Sequence, residues 1–179
     1  MKNFRIAISG KSGCGNTTIG KLTADMLGAK LINFTFRSLA EEKKIDFLKV
    51  LELAENDSAW DREVDSRQVK LAMESDGCVL SSRLAIWLLK DADLKVYLYA
   101  RPEVRAQRIV MREGGILEAV AAFTNERDLN DHERYLKIYG IDNNDYRFAD
   151  LIIDTDKYTP QQITGMIVDR VREHPDGNK

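Results

Sequence analysis

The chain has 179 residues, of which 27 are basic and 29 acidic, so its formal net charge is −2. This length favours a single domain with a substantial core. The balanced charge provides no overall field that would attract nucleic acid or a membrane surface, and no apolar run approaches the length of a membrane-spanning helix. Two cysteines, Cys14 and Cys78, are too few for a disulfide framework or a metal site, and the start of the sequence contains no apolar signal segment. We therefore expect a cytoplasmic protein, and a monomer.

The first chemical signal is a glycine-rich loop between a strand and a helix. Residues 4–9 are apolar and β-prone, which predicts a buried strand, and apolar residues recur at helical spacing over 19–27. A G-x-x-x-x-G-K-[ST] loop binds nucleotide phosphates in this context, because backbone N–H groups converge on phosphate oxygens at the start of a helix. The sequence therefore predicts an ATP-binding loop made of Gly10, Lys11, Ser12, Gly13, Cys14, Gly15, Asn16, Thr17 and Thr18.

One position of this loop departs from the pattern. Asn16 occupies the place where a lysine would reach the outer phosphates. Thr17 occupies the place of the hydroxyl that binds Mg²⁺, and Thr18 that of a phosphate contact, although either threonine could simply satisfy a free donor at the start of the helix. Lys11 could replace the missing charge or could be a solvent-exposed loop residue. A glycine-rich turn that binds no ligand is the alternative for the loop as a whole.

The rest of the chain alternates between strands and helices. Strands are predicted over residues 29–34, 78–81, 94–99 and 151–153. Helices are predicted over 36–43, 45–55, 58–75, 84–89, 102–112 and 116–138 and from 160 onward, with Asp46 capping the second of these and a frayed tail over 174–179. This alternation predicts an α/β fold, with a mostly parallel five-stranded sheet covered by helices on both faces and a ligand at the carboxyl ends of the strands.

Arginines form the second chemical signal. Four of them fall on one face of the helix over 102–112 or at its start, at Arg101, Arg105, Arg108 and Arg112. Arg127 and Arg134 are one heptad apart on the next helix, and Glu103 and Glu113 are too few to neutralise the first row. Arginine suits phosphoryl groups because its planar fork donates paired hydrogen bonds and keeps its charge. The two segments predict a closing lid, while a solvated, ion-paired face remains the alternative, chiefly for Arg101 and Arg105.

Several motifs, in order and spacing, resemble the cytidylate kinases, specifically the archaeal-type branch of the P-loop nucleoside monophosphate kinases. The loop resembles the family pattern G-x-x-G-x-G-T-T-T, in which lysine is also absent, with Asn16 in place of the first threonine. Residues 61–68 resemble the pattern D-R-x-x-D-x-R-Q, and residues 126–134 resemble E-R-D-x-x-D-x-x-R. Further similar segments are 36–40, 82–85, 90–94, 139–142 and 150–155.

The resemblance implies a P-loop three-layer fold and a kinase that transfers the ATP γ-phosphoryl group to CMP or dCMP, with Mg²⁺ as cofactor. The products would be ADP and CDP or dCDP. It also implies one domain over residues 1–179, with a core of 1–34, 77–112 and 146–173, a monophosphate-binding insertion over about 35–75 and a lid over about 113–138.

Site residues carried over from the family belong to three groups. Arg37, Arg83 and Asp128 would bind the acceptor nucleotide, and Thr17 would bind the metal. The groups surrounding the transferring phosphoryl group would be Arg108, Arg112, Arg127 and Arg134. Lys11 is added to this catalytic set because of its position in the loop, as a replacement for the loop lysine, and not because of the resemblance.

The chain departs from the family pattern before Arg83, where Ser81 and Ser82 replace an acidic residue and a glycine. An acid there would help to organise the Mg²⁺ shell. Two alternatives therefore stay open: a nucleotide-binding protein of the same fold with little kinase activity, and a kinase for another small phosphate or alcohol.

Overall fold

A five-stranded, wholly parallel sheet forms the centre of the protein. The computed structural model describes residues 4–173, so the tail expected to be frayed lies outside the described residues. The strands occur in the order β2-β3-β1-β4-β5, and each neighbouring pair is parallel. Their bounds are β1 Arg5–Gly10, β2 Lys30–Ile32, β3 Cys78–Ser81, β4 Leu94–Tyr99 and β5 Leu151–Asp154. The predicted sheet is confirmed.

Eight helices accompany the sheet in the described part of the chain. Their bounds are α1 Asn16–Leu27, α2 Phe36–Lys43, α3 Phe47–Asn56, α4 Ala59–Met73, α5 Ala85–Leu88, α6 Pro102–Glu113, α7 Leu117–Tyr139 and α8 Pro160–Glu173. Among residues 4–173, no helix combines the length and the apolar character needed to cross a membrane.

Both faces of the sheet are buried, which explains why its strands are apolar without strict alternation. Ile6 and Ile8 point from β1 to one face, where α1 and α8 pack over them. Ala7 lies between them in sequence and points to the other face, against residues of α4 and α5. The predicted three-layer α/β arrangement with helices on both sides is therefore confirmed.

The second strand is shorter than predicted, because the chain leaves the sheet after Ile32. The backbone carbonyl of Phe34 accepts a hydrogen bond from the side chain of Gln68 at 2.7 Å, outside any strand ladder. Phe34 packs with Leu39 and Val64 in a small separate apolar cluster between α2 and α4. This cluster gives the segment between β2 and β3 a core of its own.

Helix starts mostly follow the local chemistry of the sequence. The carboxylate of Asp46 accepts hydrogen bonds from the N–H groups of Leu48 and Lys49, so the predicted cap is confirmed. Pro102 begins α6, where its missing N–H costs nothing. Since all five strands are parallel, their carboxyl ends meet at one edge of the sheet, and the candidate site lies there.

Candidate active site

The loop between β1 and α1 has the backbone conformation of a phosphate cradle. Gly13 has a φ of +84° and Gly15 a φ of +98°, which side chains rarely tolerate. A Cβ on Gly13 would also lie 2.8 Å from the backbone oxygen of Arg105. No side chain caps the start of α1, so the N–H groups of its first turn remain available to an anion.

Asn16 turns into this loop. Its amide nitrogen donates a hydrogen bond to the backbone oxygen of Gly10, and its amide oxygen is buried without a donor among the described residues. Thr17 and Thr18 are exposed in the next two positions and line the cleft. The loop therefore offers backbone and hydroxyl groups to a phosphate, and its own positive charge comes from Lys11.

A cleft of about 860 Å³ opens from the phosphate loop. This volume suits a nucleotide-sized ligand. The cleft is bounded by the loop, by the residues after β2 and β3, by the inner faces of α3 and α4, and by one face of α7. Of the predicted site residues, the cleft lining includes Lys11, Ser12, Gly13, Gly15, Asn16, Thr17, Thr18, Arg83, Arg112, Arg127 and Arg134.

Asp128 lies behind the phosphate loop, outside the lining of that cleft. Its carboxylate forms an ion pair with Arg105, 2.5 Å between Nη2 and Oδ2, and lies 4.0 Å from Nζ of Lys11. Arg105 is 3% exposed and also donates to the backbone oxygen of Ser12 at 3.0 Å. The alternative of a solvated face is therefore wrong for Arg105. Its buried side chain connects the loop, α6 and α7.

Arg108 is held between the phosphate loop and the end of β5. Its guanidinium donates to the hydroxyl of Thr155 at 2.8 Å and to the backbone oxygen of Thr155 at 2.7 Å. A longer contact of 3.4 Å reaches the backbone oxygen of Gly13. Arg112 lies one turn further along α6, exposed at the edge of the cleft and paired with Glu113. The row of arginines on α6 therefore contains buried and exposed members.

A chain of alternating charges crosses the cleft. Arg83 Nη1 lies 2.6 Å from Asp131 Oδ2, and the other oxygen of Asp131 lies 3.2 Å from Arg134 Nη2. Arg134 Nη2 in turn lies 3.6 Å from Asp61 Oδ1 on α4. Burial opposes the charge of Arg134, but Asp61 and Asp131 favour it, and the pKa of Arg134 is raised. The network links the segment after β3, helix α7 and helix α4.

Arg127 differs from Arg134 because it forms no ion pair with an acidic residue in the described part of the chain. Burial lowers its pKa, and the positive charge of Arg83 lowers it further. It lines the same cleft. A guanidinium that lines the cleft near another arginine is suited to an anionic ligand, which would compensate both charges.

Arg37 is a predicted acceptor-binding residue that lies outside the lining of the cleft. It is exposed, and its guanidinium carbon lies 4.2 Å from the centre of the Phe47 ring. Its neighbour Phe36 lines the cleft, but Arg37 does not. A side-chain rotation would be required to bring its charge to an acceptor phosphate.

Ser81 ends β3 at the position where the family pattern has an acid. Its hydroxyl donates to the backbone oxygen of Asn16 at 2.8 Å. A Cβ on Gly20 would lie 2.7 Å from the Cβ of Ser81, so α1 packs closely against this strand end. Within residues 4–173 no group of three or more His, Cys, Asp or Glu side chains could hold a metal ion.

The polar residues of α4 that line the cleft are not among the predicted site residues. Asp61, Asp65 and Gln68 all face it, and Tyr139 of α7 donates a hydrogen bond to Asp65 at 2.6 Å. Burial raises the pKa of Asp65 to about 6, although the Tyr139 hydrogen bond opposes the shift. Their spacing of four and three residues places them on one helix face, and this spacing is the sequence pattern that could have predicted a shared polar surface.

Comparison with known proteins identifies the family of this chain. Residues 5–157 match the model of the cytidylate kinase-like family. The chain belongs to that family. A cytidylate kinase 2 from Borreliella afzelii is 46% identical to this cytidylate kinase-like chain over 172 residues, which cover 94% of the chain and 96% of the relative. A cytidylate kinase from Pyrococcus horikoshii is 40% identical over 164 residues, or 90% of the chain and 85% of the relative.

Solved structures show the same fold at much lower sequence identity. A shikimate kinase from Bacteroides thetaiotaomicron aligns with a TM-score of 0.64 and 18% identity, covering 94% of this chain and 98% of the other. The cytidylate kinase-like chain therefore has the three-layer fold that this P-loop kinase also has. At this identity the comparison concerns the fold alone.

Proposed function

We propose that this protein of the cytidylate kinase-like family transfers the γ-phosphoryl group of ATP to CMP or dCMP, giving ADP and CDP or dCDP. The observation that carries the proposal is one cleft in which a phosphate loop faces arginines from three other segments. Such transfer depends mainly on alignment and on neutralising charge that spreads over the transferred group. The acceptor is an anionic phosphate oxygen, so the reaction requires no strong general base.

The phosphate loop would bind the outer phosphates of ATP through backbone N–H groups. Thr17, exposed at the start of α1, would hold Mg²⁺ through its hydroxyl. The surroundings fit the ion, because the glycine cradle admits phosphate oxygens close to this hydroxyl, and Mg²⁺ accepts a shell of substrate oxygens and water with few protein ligands. When bound, the ion would neutralise charge on the β- and γ-phosphates.

Arginines would supply the rest of the positive charge. Arg127, without an acidic partner, and Arg134, shared between two carboxylates, would meet the transferring group when the lid closes. Arg112 would approach from the edge of the cleft, and Arg108 would support the loop and the end of β5 from behind. Lys11 would replace the charge that Asn16 lacks.

The acceptor nucleotide would occupy the part of the cleft between α4 and the segment after β3. Arg83 lies at that end of the charged network, and its pairing with Asp131 would open or rearrange to admit an acceptor phosphate. Arg37 would turn from Phe47 to the same phosphate. Asp128 would act indirectly, by holding Arg105 and Lys11. Residues 35–75 and 113–138 would be the parts that close around the two substrates.

The names of the relatives support a cytidine nucleotide as the acceptor. We also propose a monomer that works in the cytoplasm. Cys14 and Cys78 are both free and buried, which is consistent with a reducing compartment. Burial raises the pKa of the Cys14 thiol to about 11, so it would stay protonated and unreactive beside the nucleotide.

Two observations favour a second candidate, a nucleotide-binding protein with little catalysis. The amide of Asn16 is engaged with Gly10, and Ser81 offers a hydroxyl in place of a carboxylate. The test is a panel of nucleoside monophosphates with Mg-ATP, scored for ADP release in a coupled assay. Turnover that is fastest with CMP or dCMP supports the kinase. ATP binding without ADP release for any monophosphate supports the second candidate.

A further inference from the structure

The inner face of α4 is polar where a buried helix face is ordinarily apolar. Asp61, Asp65 and Gln68 follow one another at spacings of four and three residues, with Val64 between them. Asp61 and Gln68 are each only 5% exposed, although both line the cleft. Two buried polar side chains on a ligand cleft need partners, because a polar group that loses water without gaining a hydrogen bond is unfavourable.

The orientation of the Gln68 amide follows from its partner. Its nitrogen is 2.7 Å from the backbone oxygen of Phe34, and a carbonyl oxygen can only accept a hydrogen bond. The amide oxygen of Gln68 is therefore the free end. It is buried and receives no hydrogen bond from any residue of 4–173, and the same holds for Oδ2 of Asp61.

The two buried polar atoms on this face of α4 that have no partner among residues 4–173 are thus both acceptors. Asp61 already binds Arg134 through Oδ1, and Asp65 already accepts from Tyr139. Gln68 is neutral, and its bond to Phe34 fixes the orientation of the amide, so its oxygen is the acceptor with no competing ion pair. Apolar side chains of Phe34, Leu51, Ala54 and Val64 line the same end of the cleft.

A base with an exocyclic amino group matches these acceptors. The amino group of cytosine donates hydrogen bonds, whereas uracil has a carbonyl oxygen at the corresponding ring position. That oxygen would face the free acceptors and leave them unpaired. Neighbouring apolar side chains would contact the flat faces of the ring.

We propose that Gln68 determines the acceptor base, by accepting a hydrogen bond from the exocyclic amine through its side-chain oxygen, while Asp61 and Asp65 keep this wall free of competing donors. The inference rests on the proposed function and adds to it the residue that distinguishes an amino-bearing pyrimidine from its oxo counterpart. The competing explanation is structural: Gln68 would only tether Phe34.

Changing the enzyme and the substrate separately, and then together, distinguishes these two explanations. We would measure kcat/KM of the parent and of Gln68→Met with CMP, with UMP and with the pyrimidin-2-one ribonucleoside monophosphate, which lacks the amino group. Lys70→Met, on the exposed side of the same helix, is the matched control. In the parent and the control, removing the amine should lower kcat/KM at least about tenfold, the loss expected when a buried acceptor stays unpaired.

In Gln68→Met the same removal should change kcat/KM by less than about threefold, because the partner of the amine is already absent. The CMP to UMP ratio should fall by a similar factor of ten or more. If Gln68→Met lowered kcat/KM relative to the parent by the same factor with CMP and with the analogue, the proposal would be overturned, because lost packing affects both substrates alike.

If Gln68→Met does not fold, the comparison of CMP with the amine-free analogue in the parent still tests whether the enzyme recognises the amine. If the parent uses CMP and the analogue equally well, the amino group is not recognised and the proposal is overturned. A parent that releases no ADP with CMP refutes the proposed function itself. That result is distinguishable, because the failure then lies in the unaltered protein.

Discussion

Asp128 and Arg105 form a buried ion pair, with 2.5 Å between Oδ2 and Nη2, directly behind the phosphate loop. Lys11 Nζ lies 4.0 Å from the same oxygen, beyond hydrogen-bonding distance. The single carboxylate of Asp128 is therefore shared between Arg105 and Lys11, and the three groups together carry one net positive charge. With a side chain that is 31% exposed at the cleft, Lys11 can direct this surplus to a phosphate.

We therefore expect Lys11→Ala to weaken ATP binding or turnover at least about tenfold, or roughly 1.4 kcal/mol, because one charge-assisted contact is lost. Adding Asn16→Lys should recover part of that loss by restoring a cation at the loop position. Steady-state kinetics with CMP and calorimetry with ATP would measure both effects. Lys21→Ala is a suitable control, since its side chain is 67% exposed, pairs with Asp25 and is not part of the cleft lining. Unaltered kinetics in Lys11→Ala would reject the compensation.

Gly15→Val should abolish ATP binding while the chain stays folded. The φ of +98° at this position disfavours a β-branched residue, and the loop would move away from the phosphate-binding conformation. Calorimetry with ATP and circular dichroism would test the two halves of this prediction. The control is Gly165→Ala, because a Cβ there meets no atom within 4 Å. If Gly15→Val kept the parent's ATP affinity, the loop would not be the nucleotide site.

Arg127→Ala and Arg134→Ala should each lower turnover about a hundredfold or more, because in the proposed mechanism both arginines meet developing charge only after residues 113–138 close over the substrates. Their effects on stability should differ. Loss of Arg134 leaves the buried Asp61 without its cation and should lower the melting temperature, whereas loss of Arg127 removes a charge that lacks an acidic partner in the described chain.

Single-turnover kinetics with CMP and thermal melts would measure both effects. Arg147→Ala provides the control, since that side chain is 86% exposed. Parent rates in both variants would show that these arginines are ordinary surface charges.

The carboxyl of Asp65 should make stability depend on pH. Burial raises its pKa to about 6 in the folded protein, against 3.8 for an ordinary aspartate. Between these values the folded state binds more protons than the unfolded state, so stability falls as pH rises from about 4 to about 6. Asp65→Asn lacks this loss and still accepts the Tyr139 hydrogen bond. It should therefore be more stable than the parent at pH 7.5, by about 1–3 kcal/mol.

Urea unfolding at pH 4 and pH 7.5 would measure this difference, which should shrink towards zero at the lower pH. Asp25→Asn, at an exposed position of α1, is the control. A parent–variant difference that is the same at both pH values would contradict the raised pKa.

Local sequence signals were sufficient for the fold because they act over short distances. Alternation of apolar strands and helices predicted the parallel sheet, and Asp46 and Pro102 marked helix starts that the structure contains. The end of β2 was not predictable in this way. Phe34 leaves the sheet because Gln68, 34 residues later, binds its backbone oxygen.

The same distinction applies to the site. Glycines at positive φ are recognisable from spacing alone, whereas the partners of the arginines are not. Arg105 and Arg112 look alike in the sequence, but one is buried against Asp128 and the other is exposed beside Glu113. The contacts of Asp131 with Arg83 and Arg134 depend on how α7 folds over the cleft, which no local pattern encodes.

Direct observation of the transferred group tests the central claim most sharply. Incubation with ATP labelled at the γ-phosphate, Mg²⁺ and CMP, followed by chromatographic separation of the nucleotides, distinguishes transfer from hydrolysis. Gly15→Val supplies the blank. The account predicts label in CDP, formed in amounts equal to ADP and absent from the blank. Label that stays in ATP or appears only as inorganic phosphate, with CMP unchanged, would contradict it.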